Sequence, residues 1–216
     1  MTNQPQKRRY SFRYFVYDFI KVTGGIPGLI WHRPKIRYAS VEARKRIKGG
    51  ALLISNHVGF LDPVYMMYAV WYRRQRFICL KEIFEGNAKW LLKYSLCIPI
   101  DRDNFGMESF REITGHLKNG EVVSMFPEGH INGDGAQIQT FKSGMVLMAV
   151  KSGAPIIPMY IKEAEHWYQR LNIIIGEPVD VKKIYGDRPS FKQIEEITQL
   201  LFQREEELKC KMEQGD

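Results

Sequence analysis

The sequence predicts a single α/β domain with a mostly parallel central sheet flanked by helices, preceded by an amphipathic helical segment. A chain of 216 residues with 44% hydrophobic content can form one substantial core. Beyond residue 50, short β-rich runs alternate with helical patterns, which is typical of layered α/β folds. No repeat, low-complexity tract or linker divides the chain. We therefore expect a helical segment over residues 1–34 and one folded domain over residues 35–216.

The N-terminal segment has apolar residues at helical spacing between Tyr10 and Trp31, with an interruption near Gly24 to Gly28. Arginine, lysine and tyrosine are interleaved with them. Such a helix suits the headgroup boundary of a membrane, where rings and basic side chains bury carbon and keep their polar ends wet. A helix packed on the core fits the same pattern. The apolar positions are Phe12, Phe15, Val16, Phe19 and Ile20.

The alternating elements that follow are identified by β-branched runs and by apolar periodicity. The predicted strands are Ala51 to Ser55, Arg76 to Lys81, Cys97 to Ile100, Val122 to Phe126, Ile156 to Ile161 and Leu171 to Ile175. The predicted helices are Pro63 to Tyr72, Ile83 to Tyr94, Phe105 to Leu117, Ser143 to Lys151 with Gly153 as its cap, and a last helix that opens with a capping box, Ser190 to Gln193.

The basic charge of the chain is concentrated at its N-terminus. Residues 1–50 contain 12 Lys and Arg against two acidic residues, and the rest of the chain carries a net charge of −2. Such a segment meets a phospholipid surface or a nucleic acid, or it is a solvated basic face. Because no zinc finger, RNP-type motif or recognisable helix-turn-helix is present, nucleic acid is the weaker expectation.

Several classes of protein are disfavoured by what the sequence lacks. The sequence contains no run of 18 apolar residues, so a bilayer span is not predicted. The N-terminus does not resemble a signal peptide. The three cysteines have no Cys-x-x-Cys spacing, which disfavours a disulfide framework or a zinc site and favours a reducing cytosolic compartment. We expect no metal and no nucleotide cofactor, because no His-Glu-x-x-His or Gly-x-Gly-x-x-Gly occurs.

His57 and Asp62 follow directly on the first confident strand, where α/β folds place functional loops. A neutral imidazole can take a proton from a hydroxyl while a carboxylate holds its other ring nitrogen. On one continuous helix the two side chains would point about 140° apart, so the pair needs a turn, which Gly59 can supply. Alternatively, Asp62 caps the helix that begins at Pro63 and His57 is an ordinary loop residue.

Two more polar loops follow strands, the first with Asp101 and Arg102 and the second with Pro127, Glu128 and Gly129. Three such loops can converge on one crevice. The Arg102 guanidinium suits a phosphate, because it offers paired charge-assisted hydrogen bonds. A surface ion pair of Arg102 with a neighbouring aspartate is equally compatible with the sequence.

In this order the loops resemble the glycerolipid acyltransferase family, of which bacterial lysophosphatidic acid acyltransferases are typical members. The resemblance covers roughly residues 50–160. The ordered set is specific, whereas His-x4-Asp alone is common by chance. The matching segments are Asn56-His57-x4-Asp62, the run ending Ile100-Asp101-Arg102, Phe126-Pro127-Glu128-Gly129, Phe141-Lys142-Ser143-Gly144 and Ala154-Pro155-Ile156-Ile157-Pro158.

The resemblance implies direct acyl transfer, in which His57, oriented by Asp62, deprotonates an acceptor hydroxyl that attacks an acyl thioester. It further implies that Glu128 and Gly129 shape the acceptor site and that Arg102 binds the acceptor phosphate, with Lys142 adding charge. Asn56, Pro127 and His130 support the motifs. The implied product is phosphatidic acid, made from 1-acylglycerol 3-phosphate with acyl-CoA or acyl carrier protein as donor.

One departure leaves the acceptor open. The third motif of the family usually continues with a small hydroxyl residue and an arginine, where this chain has His130 and Ile131. Glycerol 3-phosphate or another lysolipid is therefore an alternative acceptor, and a non-catalytic basic protein that binds lipid or nucleic acid is the alternative from another class. The resemblance places the enzyme peripherally on the cytoplasmic face of the cell membrane, attached through its N-terminal segment.

Overall fold

A computed structural model describes residues 12–85, 96–101, 105–129, 138, 140–162 and 170–214. The strands are β1 (Lys35–Tyr38), β2 (Ala51–Ser55), β3 (Gln75–Leu80), β4 (Ile98–Ile100), β5 (Val122–Met125), β6 (Ile156–Lys162) and β7 (Asn172–Ile175). The helices are α1 (Phe12–Thr23), α2 (Gly25–His32), α3 (Asp62–Ala69), α4 (Met107–Lys118), α5 (Gly144–Ser152), α6 (Val181–Tyr185) and α7 (Phe191–Gln214), with a 3-10 turn at Lys81–Glu85.

The seven strands form one sheet in the order β1-β7-β6-β2-β5-β3-β4. The five strands from β6 to β4 are parallel, β7 is antiparallel to β6, and β1 runs parallel to β7. All five residues of the central strand β2 are buried, because parallel sheets of this kind are covered on both faces. The predicted α/β domain with a mostly parallel sheet is confirmed.

Helices cover the two faces of the sheet. On one face, Leu52 and Ile54 of β2 pack with apolar residues of α4, α5 and α7. On the other face, Ala51 and Leu53 pack with α3, and Leu29 of α2 lies against the same cluster. The alternation along β2 follows from the pleat, which directs successive side chains to opposite faces. Because both faces of the sheet are covered by apolar side chains, polar side chains can gather only at the ends of the strands.

The N-terminal helices α1 and α2 dock on the α3 side. The Tyr17 hydroxyl accepts a hydrogen bond from the Gln75 main-chain N–H at 3.2 Å, and the Asp18 carboxylate pairs with the Arg74 guanidinium at 2.6 Å. α2 runs antiparallel to α3. Gly25, at the start of α2, lies against Trp71 just beyond the end of α3, and the His32 ring, at the end of α2, lies 5.2 Å from that of Tyr65. The predicted N-terminal helical segment, with a break in its glycine region, is therefore present.

The sequence pattern predicted most elements and missed two. All six predicted strands are present, with ends shifted by one residue in most cases. Gly153 ends α5 with φ 72°, and Ser190 and Gln193 exchange capping bonds of 2.7 and 3.3 Å. β1 and α6 were not predicted, because a charged four-residue edge strand and a five-residue helix are too short to show periodicity. Of the helix predicted over 83–94, only residues up to 85 are described, and these form the 3-10 turn.

Candidate functional site

The candidate site lies at the carboxyl ends of β2 and β5, which are neighbours in the sheet. Since both strands run in the same direction, the loops that follow them, residues 56–61 and 126–129, lie side by side. The sheet topology therefore brings the His57 motif and the Glu128 motif together.

His57 and Asp62 form a hydrogen-bonded pair. The His57 Nδ1 atom lies 2.8 Å from Asp62 Oδ2, the Asp62 side chain is fully buried, and 16% of the His57 side chain is exposed. Since the carboxylate accepts at Nδ1, the proton of a neutral His57 ring resides on Nδ1 and the lone pair on Nε2. The pair thus presents a basic nitrogen at the surface of the site.

The loop closes on Asp62 through two more hydrogen bonds. The main-chain N–H groups of Val58 and Gly59 donate to Asp62 Oδ2 at 2.7 and 2.9 Å. The Asp62 carboxylate therefore faces back into its own loop. The N-cap of α3 is Leu61, and no side chain makes a capping hydrogen bond there. The alternative that Asp62 serves as the cap of α3 is wrong. The predicted turn is present, with Gly59 accepting from the Asp62 N–H at 3.3 Å, and Gly59 takes part in it without a positive φ.

Asn56 fixes the start of this loop to the neighbouring strand. Its side-chain amide donates to the Ile161 carbonyl at 2.9 Å, and its amide oxygen accepts from the Ile161 N–H at 2.8 Å. The Ser55 hydroxyl donates to the same amide oxygen at 3.1 Å. Asn56 therefore links the end of β2 to β6. The sequence motif pointed to this residue but not to this structural role.

The loop after β5 supports the histidine from the other side. The Phe126 ring stacks on the His57 ring, with centroids 3.9 Å apart and planes 14° apart. The His57 main-chain N–H donates to Glu128 Oε1 at 3.4 Å, and Glu128 is 4% exposed. Sequence reasoning missed the role of Phe126 as a stacking partner. An aromatic residue directly before Pro-Glu-Gly, at the end of a strand beside the histidine loop, was the available signal.

Gly129 and Lys142 lie together at the rim. Gly129 has φ 77°, a conformation that favours glycine, and a Cβ atom at this position would lie 3.2 Å from Lys142 Nζ. The Lys142 main-chain N–H donates to the Pro127 carbonyl at 3.2 Å, which ties the two loops together. The Lys142 ammonium group is consequently positioned above the turn that follows β5.

The structure does not place every predicted residue. Arg102 and His130, together with Ile131, lie outside the described residues. Asp101 directly follows β4, which is separated from β5 by β3. Two of the three polar loops are thus adjacent, and the third begins two strands away from β5. Within the described part of the chain, no group of His, Cys, Asp and Glu side chains has an arrangement that could hold a metal ion.

This arrangement can act as a general base. The His57 ring is held at Nδ1 and on one face, and among the described residues no serine, threonine or cysteine hydroxyl or thiol bonds to its Nε2 atom. Such a base is available to a hydroxyl group brought by a substrate.

None of the helices in the described part of the chain is both long and apolar enough to span a bilayer.

Comparisons with known proteins are consistent with one another. The profile of the acyltransferase family matches residues 35–162. The 1-acyl-sn-glycerol-3-phosphate acyltransferase of Bacillus subtilis is 27% identical over 173 residues, which cover 76% of this chain and 84% of that protein. The enzyme of the same name from Limnanthes alba is 30% identical over 125 residues, which cover 56% of this chain and 44% of that protein.

A solved structure has a similar fold. The crystal structure of the 1-acyl-sn-glycerophosphate acyltransferase from Thermotoga maritima superposes with a TM-score of 0.66 and 24% sequence identity. The match covers 94% of this chain and 84% of that one.

Proposed function

This chain belongs to the acyltransferase family, and we propose that it transfers a fatty acyl group from a thioester to the free hydroxyl of 1-acylglycerol 3-phosphate, forming phosphatidic acid. The names of its relatives support this acceptor. Acyl-CoA and acyl carrier protein both present the reacting thioester, and either serves as donor in this proposal. No cofactor is required.

The observation that carries the proposal is the 2.8 Å contact between His57 Nδ1 and Asp62 Oδ2. His57 Nε2 removes the proton from the acceptor hydroxyl as its oxygen attacks the thioester carbonyl. The thiolate of the donor leaves as the tetrahedral intermediate collapses, and the proton on His57 neutralises it. Asp62 stabilises the imidazolium between these steps. Because the acceptor oxygen attacks the thioester directly, no acyl-enzyme forms.

For the acceptor phosphate we propose Lys142, whose ammonium group lies beside Gly129. Gly129 matters here because its lack of a side chain leaves room for that ammonium group. Arg102 and His130, which lie outside the described residues, are the further phosphate ligands expected from the motifs. A Lys142→Met substitution should raise the acceptor KM much more than it lowers kcat, because it removes a charge that binds ground state and transition state alike.

The decisive experiment supplies purified protein with each donor, acyl-CoA or acyl carrier protein, and with a panel of acceptors: 1-acylglycerol 3-phosphate, glycerol 3-phosphate and other lysolipids. We expect phosphatidic acid to be the main product. A His57→Ala variant should lose about 10²–10⁴-fold in kcat, the usual contribution of a general base. His116→Ala is the control, since His116 pairs with Glu121 at the opposite end of the sheet. Comparable turnover by His57→Ala would disprove the mechanism.

We further propose that α1 and α2 hold the enzyme on the membrane. Apolar side chains along both helices are more than 40% exposed, and from Phe12 to Ile30 they recur every three or four residues, which places them on one face, with Trp31 beside Ile30. Phe60, in the His57 loop, is also 82% exposed. The face consists of Phe12, Phe15, Phe19, Val22, Ile26, Ile30 and Trp31.

A liposome assay tests the membrane proposal. Phe15→Ser and Phe19→Ser together should reduce co-sedimentation with vesicles that contain anionic lipid, since each ring contributes buried apolar area at the headgroup boundary. Phe191→Ser is a matched control, because Phe191 is 73% exposed on α7, away from these helices. Equal co-sedimentation of all three proteins would disprove the role of this face.

A further inference from the structure

A polar cavity lies between α1 and the amino-terminal ends of β3 and β5. Its volume is about 360 Å³, and its lining comes from α1, from the residues around the start of β3 and from Glu121, directly before β5. The His57 and Glu128 loops follow the carboxyl ends of β2 and β5, so the cavity is at the opposite end of the sheet. The acyl-transfer chemistry proposed above does not use it.

The lining of this cavity has an excess of positive charge. Four cationic and two anionic side chains line it, which leaves a net charge of two positive units. A phosphate monoester carries about −1.5 to −2 charges at pH 7, so one such group would match the excess. The cations are Lys21, Arg73, Arg74 and Arg76, and the carboxylates are Asp18 and Glu121.

Main-chain carbonyl groups position two of these cations. The Arg73 guanidinium donates to three of them at distances between 2.7 and 2.9 Å, those of Ile47, Gly49 and Gly120. The Lys21 ammonium group donates to the Trp71 carbonyl and lies 4.6 Å from the centre of the Trp71 ring. These contacts fix both cations without cancelling their charge. Burial lowers the pKa of the Lys21 ammonium group, so an anion in the cavity would favour its charged form.

α1 borders the cavity on one face and exposes apolar side chains on another. Asp18 and Lys21 line the cavity, whereas the Phe15 and Phe19 side chains are 55% and 58% exposed. A helix that rests on a membrane by its apolar face brings its polar flanks to the level of the headgroups. With α1 on the membrane as proposed above, the cavity therefore lies at the depth of the lipid phosphates.

We propose that this cavity is a binding site for a phosphate monoester, separate from the acceptor site beside His57. The group belongs to a lipid beside α1 or to a soluble phosphate ester, and the lipid source rests on the proposed membrane role of α1. Binding by paired guanidinium and ammonium groups is the usual way in which proteins hold phosphate.

The first test compares the Tm in inorganic phosphate with the Tm in sodium chloride of equal ionic strength and pH. At a phosphate concentration about tenfold above the dissociation constant, the Tm of the wild type should rise by roughly 3–6 °C. Lys21→Gln should lose most of this rise, and Arg76→Gln takes its place if it does not fold. Lys192→Gln is the matched control and should keep the rise, because Lys192 is exposed on α7, which packs on the other face of the sheet.

Asp18→Asn distinguishes an anion site from an ion pair that only holds α1 in place. Asp18 binds the Arg74 guanidinium at 2.6 and 2.9 Å, and its loss raises the positive excess of the lining from two to three. The phosphate concentration needed for a given rise in Tm should therefore fall severalfold. An unchanged rise in Lys21→Gln, or weaker phosphate binding by Asp18→Asn, would overturn the proposal.

Vesicles then identify the source of the phosphate. At equal negative surface charge, the wild type should co-sediment more with vesicles that contain phosphatidic acid, a monoester, than with those that contain phosphatidylglycerol, a diester. Loss of this preference in Lys21→Gln would assign the group to a membrane lipid. A Tm rise without any vesicle preference would assign it to a soluble ester instead. Neither assay requires acyl transfer, so an inactive wild type with these responses would refute the proposed function and leave the cavity site in place.

Discussion

Replacing Asp62 by asparagine separates the charge of the carboxylate from its geometry. The Asp62 Oδ2 atom accepts three hydrogen bonds, two of them from the main-chain N–H groups of Val58 and Gly59. These two donors require an acceptor, so they should hold the amide oxygen of asparagine at the Oδ2 position. His57 then keeps its tautomer and orientation, and it loses only the negative charge that stabilises its protonated form.

The expected loss of activity follows from that single change. A hydrogen bond to a charged group contributes about 1.5–3 kcal/mol, and about 1.4 kcal/mol corresponds to a factor of ten in rate, so kcat should fall roughly 10- to 150-fold. The amide NH₂ would occupy the position of Oδ1, which is buried and has no partner in the described structure, at a cost of about 1–3 kcal/mol in stability.

The assay is steady-state acyl transfer at saturating acceptor, with Tm measured on the same samples. Asp180→Asn is the matched control, because the Asp180 carboxylate caps α6 through the Lys183 N–H, far from the site in sequence. Activity of Asp62→Asn within twofold of the wild type would refute the reasoning. A loss far beyond about 150-fold would show instead that the amide had turned and reversed the tautomer.

The remaining predictions concern stability. Asn56→Ala removes two buried hydrogen bonds to Ile161 and leaves that main chain unpaired, so unfolding should become easier by about 2–4 kcal/mol, measured by urea denaturation. Gly129→Ala should lower both Tm and kcat, because φ 77° strains any side chain and the added methyl group would crowd Lys142. Burial of Glu121 would raise its pKa, but hydrogen bonds from His116 and Arg76 lower it to about 2. A lowered pKa contributes stability above the unfolded value that is lost as the pH falls, so Glu121→Gln should reduce Tm at pH 7 and progressively less as the pH falls toward about 2.

The sequence predicted the fold well, because parallel strands buried on both faces leave a strong signal. β2 is five consecutive buried residues, and the apolar run from Ala51 to Ile54 is visible without any structure. β1 gave no such signal, since only four residues form this edge strand and two of them, Lys35 and Arg37, are charged. Its place beside β7 depends on pairing across more than 130 residues of chain, which local patterns do not encode.

For the candidate site, the sequence singled out His57 and Asp62 but not the contacts that hold them. His57 and Asp62 are five residues apart, and their spacing alone favoured a helix cap over a pair. What decides the matter is a loop that folds back so that two main-chain donors and one imidazole share a single oxygen.

The way in which the His57 ring is held limits how substrates could reach it in the proposed reaction. The His57 ring is fixed at Nδ1 by Asp62 and on its face by Phe126, and its main chain is fixed by Glu128. In the reaction we propose, the acceptor hydroxyl approaches along Nε2, and the thioester carbonyl lies within reach of the same edge. Because the pair is already ordered, little reorganisation is needed when charge develops on the ring. Asp62 is buried, and its Oδ1 atom has no hydrogen-bond partner in the described structure, so this order costs stability. Asp62→Asn should therefore lower kcat while the fold is retained.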